Sequence, residues 1–152
     1  MRKKGFSLIE LMIVVAIIAI LAMIMTPNLL TAIQKAKLKS TMEDMRNIGM
    51  AVDNYMSDWG IAVQGSSAAA IRTYLQPFYT KKYAETDQWN HAFQYQASLD
   101  DYSVKSLGKN GTDDGTCPDG SASLYDPPTS KNDFNRDLVY SDGAFTCAPR
   151  QH

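Results

Sequence analysis

Histidine and cysteine are scarce, with two of each in 152 residues. His91 sits in an aromatic stretch and His152 is the last residue, so neither stands at metal-ligand spacing from Cys117 or Cys147. Paired-cysteine metal motifs, phosphate-cradling glycine loops, dinucleotide fingerprints and nucleophile elbows are missing too. Without a catalytic constellation, the sequence reads as a protein that is not an enzyme. An excess of one charge is also lacking, at 15 Lys+Arg against 16 Asp+Glu. That balance excludes a strongly basic surface, so no nucleic acid is required as a partner.

Charge is rarest near the N-terminus, where Glu10 is the one charged residue between Phe6 and Met25. Ahead of it lies a short basic start, Arg2, Lys3 and Lys4, and behind it an uninterrupted apolar run from Leu11 to Met25. With Phe6, Leu8 and Ile9 the stretch approaches the ~20 residues that span a bilayer. The basic cluster would stay cytoplasmic and place the remainder on the far side. A cleaved secretory signal has the same outline, but no small-x-small site closes the run, which continues through Thr26-Pro27-Asn28 into helix-forming residues. Glu10 is the anomaly, because a carboxylate inside an apolar helix costs up to about 3 kcal/mol unless it has a partner. Cutting the chain after Gly5 would supply one: the new α-amino group on Phe6, one helical turn away in the same subunit or in a packed neighbour.

The run Lys4-Gly5-Phe6-Ser7-Leu8-Ile9-Glu10-Leu11-Met12-Ile13-Val14-Val15-Ala16-Ile17-Ile18 closely resembles the cleavage and methylation motif of type IV prepilins and of the pseudopilins of type II secretion. That resemblance implies a prepilin peptidase that cuts between Gly5 and Phe6 and methylates the Phe6 amine. It also implies that Glu10 pairs with that amine and sets subunit register. Pro27 falls where many of these proteins carry a helix-bending proline.

From Asn28 to about Asp58 there is no proline and one glycine, Gly49. Leu38, Met42, Met45, Gly49, Val52 and Met56 recur at alternating four- and three-residue steps, an apolar stripe for packing on the protein's own sheet. Lys35, Lys37, Lys39, Glu43, Asp44, Arg46 and Asp53 fall on the other, wet faces. Trp59-Gly60 supplies a stop. A helix from Phe6 to about Ser57 would be on the order of 75 Å long, far more than a membrane needs. Its first half must lie in lipid before assembly and against sister helices afterwards.

Beyond residue 60 the pattern predicts a short helix from Ala68 to about Leu75, ended by Pro77. Strands are expected over residues 88–96, 101–106 and 138–141, with a turn at Asp142-Gly143. The expected fold class is α+β, a long N-terminal helix packed on a small antiparallel sheet. The corresponding organisation is a leader over residues 1–5, a transmembrane and assembly helix over 6–30, its amphipathic half over 31–59, and a globular head over 60–152.

The head resembles that of the major pseudopilin of type II secretion. Asp87, Trp89, Phe93 and Tyr95, then Ser106, Gly108, Asn110 and Gly111, then Asp137 and Leu138 follow that family's pattern. In the family the loop holds calcium, which makes Ser106, Asn110, Asp113, Asp114 and Asp137 the candidate ligands. The loop's oxygens suit a hard cation, although Asn110 stands where the family has aspartate and the segment from Thr116 to Arg136 is long. Solvated turn residues are the other reading of the same Asp and Gly. Cys117 and Cys147 are expected to form a disulfide if the head is exported, free thiols being the alternative. A cysteine-closed C-terminal loop looks more like a true type IV pilin.

These readings converge on the structural subunit of a type IV pilus-like filament, a secretion pseudopilin that polymerises through its N-terminal helix while a cytoplasmic ATPase does the chemistry. The alternatives are a surface type IV pilus subunit, for adhesion, motility or DNA uptake, and a membrane-anchored binding module that never polymerises. Expected partners are further copies of the chain, the prepilin peptidase, an inner-membrane assembly platform and minor pilins or pseudopilins. The expected location is the bacterial inner membrane, single-pass, with a periplasmic head that passes into a periplasmic or surface filament.

Overall fold

A computed structural model of the chain describes residues 5–113, 115, 123–125 and 133–150. One helix, α1 (Leu8–Trp59), runs for 52 residues. It starts at Ser7, whose hydroxyl accepts from the Glu10 N–H at 3.3 Å, while the Glu10 carboxylate accepts from the Ser7 N–H at 2.8 Å. This reciprocal capping box satisfies two backbone donors that the first turn would otherwise leave open. The helix ends at Gly60, whose left-handed φ of 73° turns its N–H back onto the Met56 carbonyl. Pro27 lies inside the helix without ending it. Around it, Thr26 Oγ1 donates to the Ala22 carbonyl and Thr31 Oγ1 to the Pro27 carbonyl, a back-bonding pattern that favours gentle bending.

The two halves of α1 differ in kind. Every residue from Leu8 to Leu30 is exposed, whereas Leu38, Thr41, Met42, Met45, Ile48, Gly49, Ala51 and Val52 are buried. The apolar stripe is the face expected, with Met56 packed at its edge. Asp44 departs from the reading that put it on the wet side. It is buried because the Gln88 carboxamide, donating to its Oδ2 at 3.0 Å, closes over it.

A second helix, α2 (Ala68–Leu75), has the expected bounds and is capped by the Ser67 hydroxyl. The strands are β1 (Gln94–Ala97), β2 (Tyr102–Ser106), β3 (Ser123–Tyr125), β4 (Leu138–Ser141) and β5 (Ala144–Pro149), with a 3-10 turn at Asp133–Asn135 before β4. The sheet order is β1-β2-β4-β5-β3. All neighbours are antiparallel except β3 and β5, which run parallel, so the sheet is wider than expected and not wholly antiparallel. At the β4–β5 hairpin Asp142 and Gly143 both have positive φ, the backbone a tight two-residue hairpin demands.

The strand expected over residues 88–96 begins only at Gln94. Upstream, the Asp87 carboxylate accepts the N–H groups of Trp89 and His91 and folds residues 87–91 into a turn, with Asn90 in the left-handed region. The core forms where the stripe of α1 meets α2 and the inner face of the sheet. Phe93, Tyr95, Phe134, Met45, Ile48, Ile71, Leu75 and Leu138 are its largest fully buried side chains.

Candidate assembly helix and head loop

Two regions carry the expected functional residues. At the first, Gly5 and Phe6 precede the helix in exposed chain without regular secondary structure, with Phe6 80% exposed. Residues 1–4 of the expected leader lie outside the described residues. Glu10 reaches back along the chain into the capping box and is exposed, and no described residue of the head faces it. The apolar window of α1 has a mean hydropathy of 3.0 and none of it is buried within the chain, which makes the helix long and apolar enough to cross a membrane. Pro27 and its two threonine back-bonds sit near the end of that exposed half.

In the second region, the loop after β2, the described members of the expected ligand set do not share one centre. Ser106 Oγ donates to Asp87 Oδ2 at 2.8 Å and accepts from the Gly108 N–H, both on the buried face of β2. Asn110 Oδ1 accepts from the Thr112 N–H, closing a local turn. Asp113 Oδ1 accepts from the Gly115 N–H in the same way. Asp114 lies outside the described residues. Asp137, fully buried just before β4, faces Lys105, whose Nζ stands 3.4 Å from Asp137 Oδ2 and 2.8 Å from Asp113 Oδ2.

Strand alternation separates these groups, because neighbouring side chains on β2 point to opposite faces. Ser106 therefore looks into the core while Lys105 looks out across Asp113 and Asp137. Burial works against the Lys105 charge, but the hydrogen bond to Asp113 and the Asp137 carboxylate outweigh it and hold the ammonium above its ordinary pKa. The same hydrogen bond, aided by the Gly115 N–H, holds the Asp113 carboxyl below the usual carboxylate range. Among the described residues no three His, Cys, Asp or Glu side chains converge as metal ligands. The described donor set thus fits an ammonium, and it does not fit a calcium ion that needs six to eight oxygens.

Sequence reasoning gave no role to Lys105, and it saw Asp87 only as part of a strand pattern. The signal for Lys105 was its place in the alternation Tyr102-Ser103-Val104-Lys105-Ser106, a lysine on the outward phase of a half-buried strand. His91, which falls within the strand expected over residues 88–96, is in the turn instead, with its Nδ1 2.9 Å from the Gly108 carbonyl oxygen. Cys147 is buried in β5, whereas Cys117 and His152 lie outside the described residues.

Residues 1–26 match the prokaryotic N-terminal methylation motif, and residues 28–124 match the family described as type II secretion system (T2SS), protein G. The chain is 29% identical to type II secretion system core protein G of Pseudomonas aeruginosa over 82% of its own length and 96% of the relative's. It is 32% identical to the protein of the same name from Vibrio cholerae, over 76% of this chain and 87% of that one. For the Aeromonas hydrophila protein the identity is 30%, over 74% and 90%. No solved structure matches the chain. With one family covering more than half of its residues, on a fold whose apolar helix stands clear of its head, this chain belongs to the protein G family of the type II secretion system.

Proposed function

We propose that the chain is a pseudopilin, a structural and non-catalytic subunit that polymerises through its N-terminal helix into the filament of a type II secretion system. The observation that carries this reading is the division of α1: its second half is built into the head, while its first half exposes an apolar surface that no described residue of the head covers. In a monomer such a surface requires lipid, and in a filament it requires sister helices. Processing between Gly5 and Phe6 by a prepilin peptidase, with methylation of the new Phe6 amine, would free a positive group one turn from Glu10. The subunit would wait in the inner membrane with its head in the periplasm. An assembly platform would draw it from there into a filament alongside minor pseudopilins. In an oxidising periplasm Cys117 and Cys147 would close a disulfide loop.

The test is the intact mass of the protein in two fractions of its native cells, washed membranes and sheared surface filaments. A chain lacking residues 1–5 and carrying one added methyl, confined to membranes, is the expected result. The same mass abundant in the sheared fraction would assign it to a surface pilus instead, and an uncleaved chain in both would overturn the filament reading.

A further inference from the structure

Asp137 presents a problem that any head of this design must solve. Its carboxylate is fully buried at the point where the chain enters β4, and a buried charge is tolerated only with a compensating partner. On the segment that leaves β2 stands a second carboxylate, Asp113. The register of β2 on β4, with Lys105 opposite Val139 and Ser106 opposite Leu138, brings the Lys105 stem alongside the start of β4. Its ammonium lies 2.8 Å from Asp113 Oδ2 and 3.4 Å from Asp137 Oδ2, and the Lys105 side chain is only 12% exposed. One positive group therefore ties the segment that leaves β2 to the segment that enters β4.

We propose that Lys105 is the built-in cation of this head, holding Asp113 and Asp137 together so that the loop needs no bound calcium. The other described side-chain oxygens of the expected set support this. Ser106 is committed to Asp87 on the opposite face, and Asn110 and Asp113 each close a turn of their own. A divalent ion at these two carboxylates would have to displace the ammonium or sit against it. A lysine also costs the head nothing in dependence on ion concentration, whereas extracellular calcium modules bind only at about 0.1 to 1 mM. The inference concerns the head alone and stands whether or not the chain polymerises.

The experiment uses the full chain in detergent micelles, with thermal unfolding of the head followed by near-ultraviolet circular dichroism. The native protein is expected to show the same Tm in millimolar calcium chloride and in excess chelator. In chelator, Lys105→Met is expected to lower Tm by several degrees, and adding Asp137→Asn to that variant should recover part of the loss, because the buried carboxylate no longer needs a cation. Should Lys105→Met not fold, folding of the double variant in chelator carries the same meaning. A native Tm that rises by several degrees with calcium would overturn the proposal. So would a Lys105→Met protein as stable as the native one, or a double variant that recovers nothing.

Discussion

The ring of Tyr140 lies directly over the backbone of Gly49, in the space that a side chain at that position would fill. A β-carbon there would overlap Tyr140 Cε1 and stand 3.0 Å from the Tyr102 hydroxyl oxygen. The glycine thus lets the sheet approach α1 at the middle of the buried stripe, where Met45, Ile48 and Val52 complete the contact.

Gly49→Ala would ordinarily favour a helix interior by about 1 kcal/mol. Here the added methyl must push Tyr140 out of a close-packed core, at a cost of about 1–3 kcal/mol, so the substitution is expected to destabilise the head. Tyr140→Leu in the same chain should relieve part of that loss. Thermal unfolding of the full chain in detergent is the measurement, and a Gly49→Ala protein with a raised Tm would refute the packing account.

Asp87 organises the turn before β1. Its carboxylate accepts the Trp89 N–H at 3.0 Å, the His91 N–H at 2.8 Å and the Ser106 hydroxyl at 2.8 Å. Asp87→Ala strands these donors, the Ser106 hydroxyl fully buried and the two N–H groups partly so, and a loss of about 3 kcal/mol is expected, at the upper end for unsatisfied groups. Asp87→Asn, which keeps one acceptor oxygen, should lose less. If Asp87→Ala and Asp87→Asn have equal denaturation midpoints, hydrogen bonding is not what the residue contributes.

Long periodic features were legible in the sequence and side-chain commitments were not. The stripe from Leu38 to Val52, the stop at Gly60 and the bounds of α2 follow from 3.6-residue spacing and from residues with strong conformational demands. Asp87 and Trp89 alternate polar and aromatic like a strand, and nothing local shows that the carboxylate folds back on two N–H groups two and four residues ahead. β3 has three residues and pairs in parallel with β5 across a large sequence separation, so no short-range pattern announces it. The candidate ion loop shows the same limit. Spacing collects oxygen-bearing residues, but the phase of β2 decides that Ser106 faces the core and that Lys105, absent from any ligand pattern, meets the carboxylates.

Alkali should unfold the head through its buried phenols. Burial raises the pKa of Tyr83, Tyr95, Tyr102 and Tyr140 above the ordinary value, and Tyr83 and Tyr95 also donate to the carbonyls of Ala68 and Val63. A folded pKa above the unfolded one means stability fully present below about pH 10 and lost as pH rises past it towards the folded values. Phenolate absorbance should therefore show these four of the chain's eight tyrosines, at least, titrating only together with loss of the near-ultraviolet circular dichroism signal. Titration of all eight while that signal persists would contradict the burial described.

Glu10 has two separable jobs, and one substitution divides them. In the subunit its carboxylate caps α1 by accepting the Ser7 N–H, a task glutamine performs as well in a capping box. In the proposed filament its charge meets the Phe6 amine, a task glutamine cannot perform. Glu10→Gln is therefore expected to leave α1 and the processed chain intact while reducing cross-linked oligomers in native membranes to the level of Glu10→Ala. Ser7→Ala should behave in the opposite sense, weakening the helix start by about 1 kcal/mol while assembly continues, because the negative charge is still in place. Assembly of Glu10→Gln at native yield would show that capping is the whole of the residue's contribution, and the charge pairing in the proposed filament would have to be abandoned.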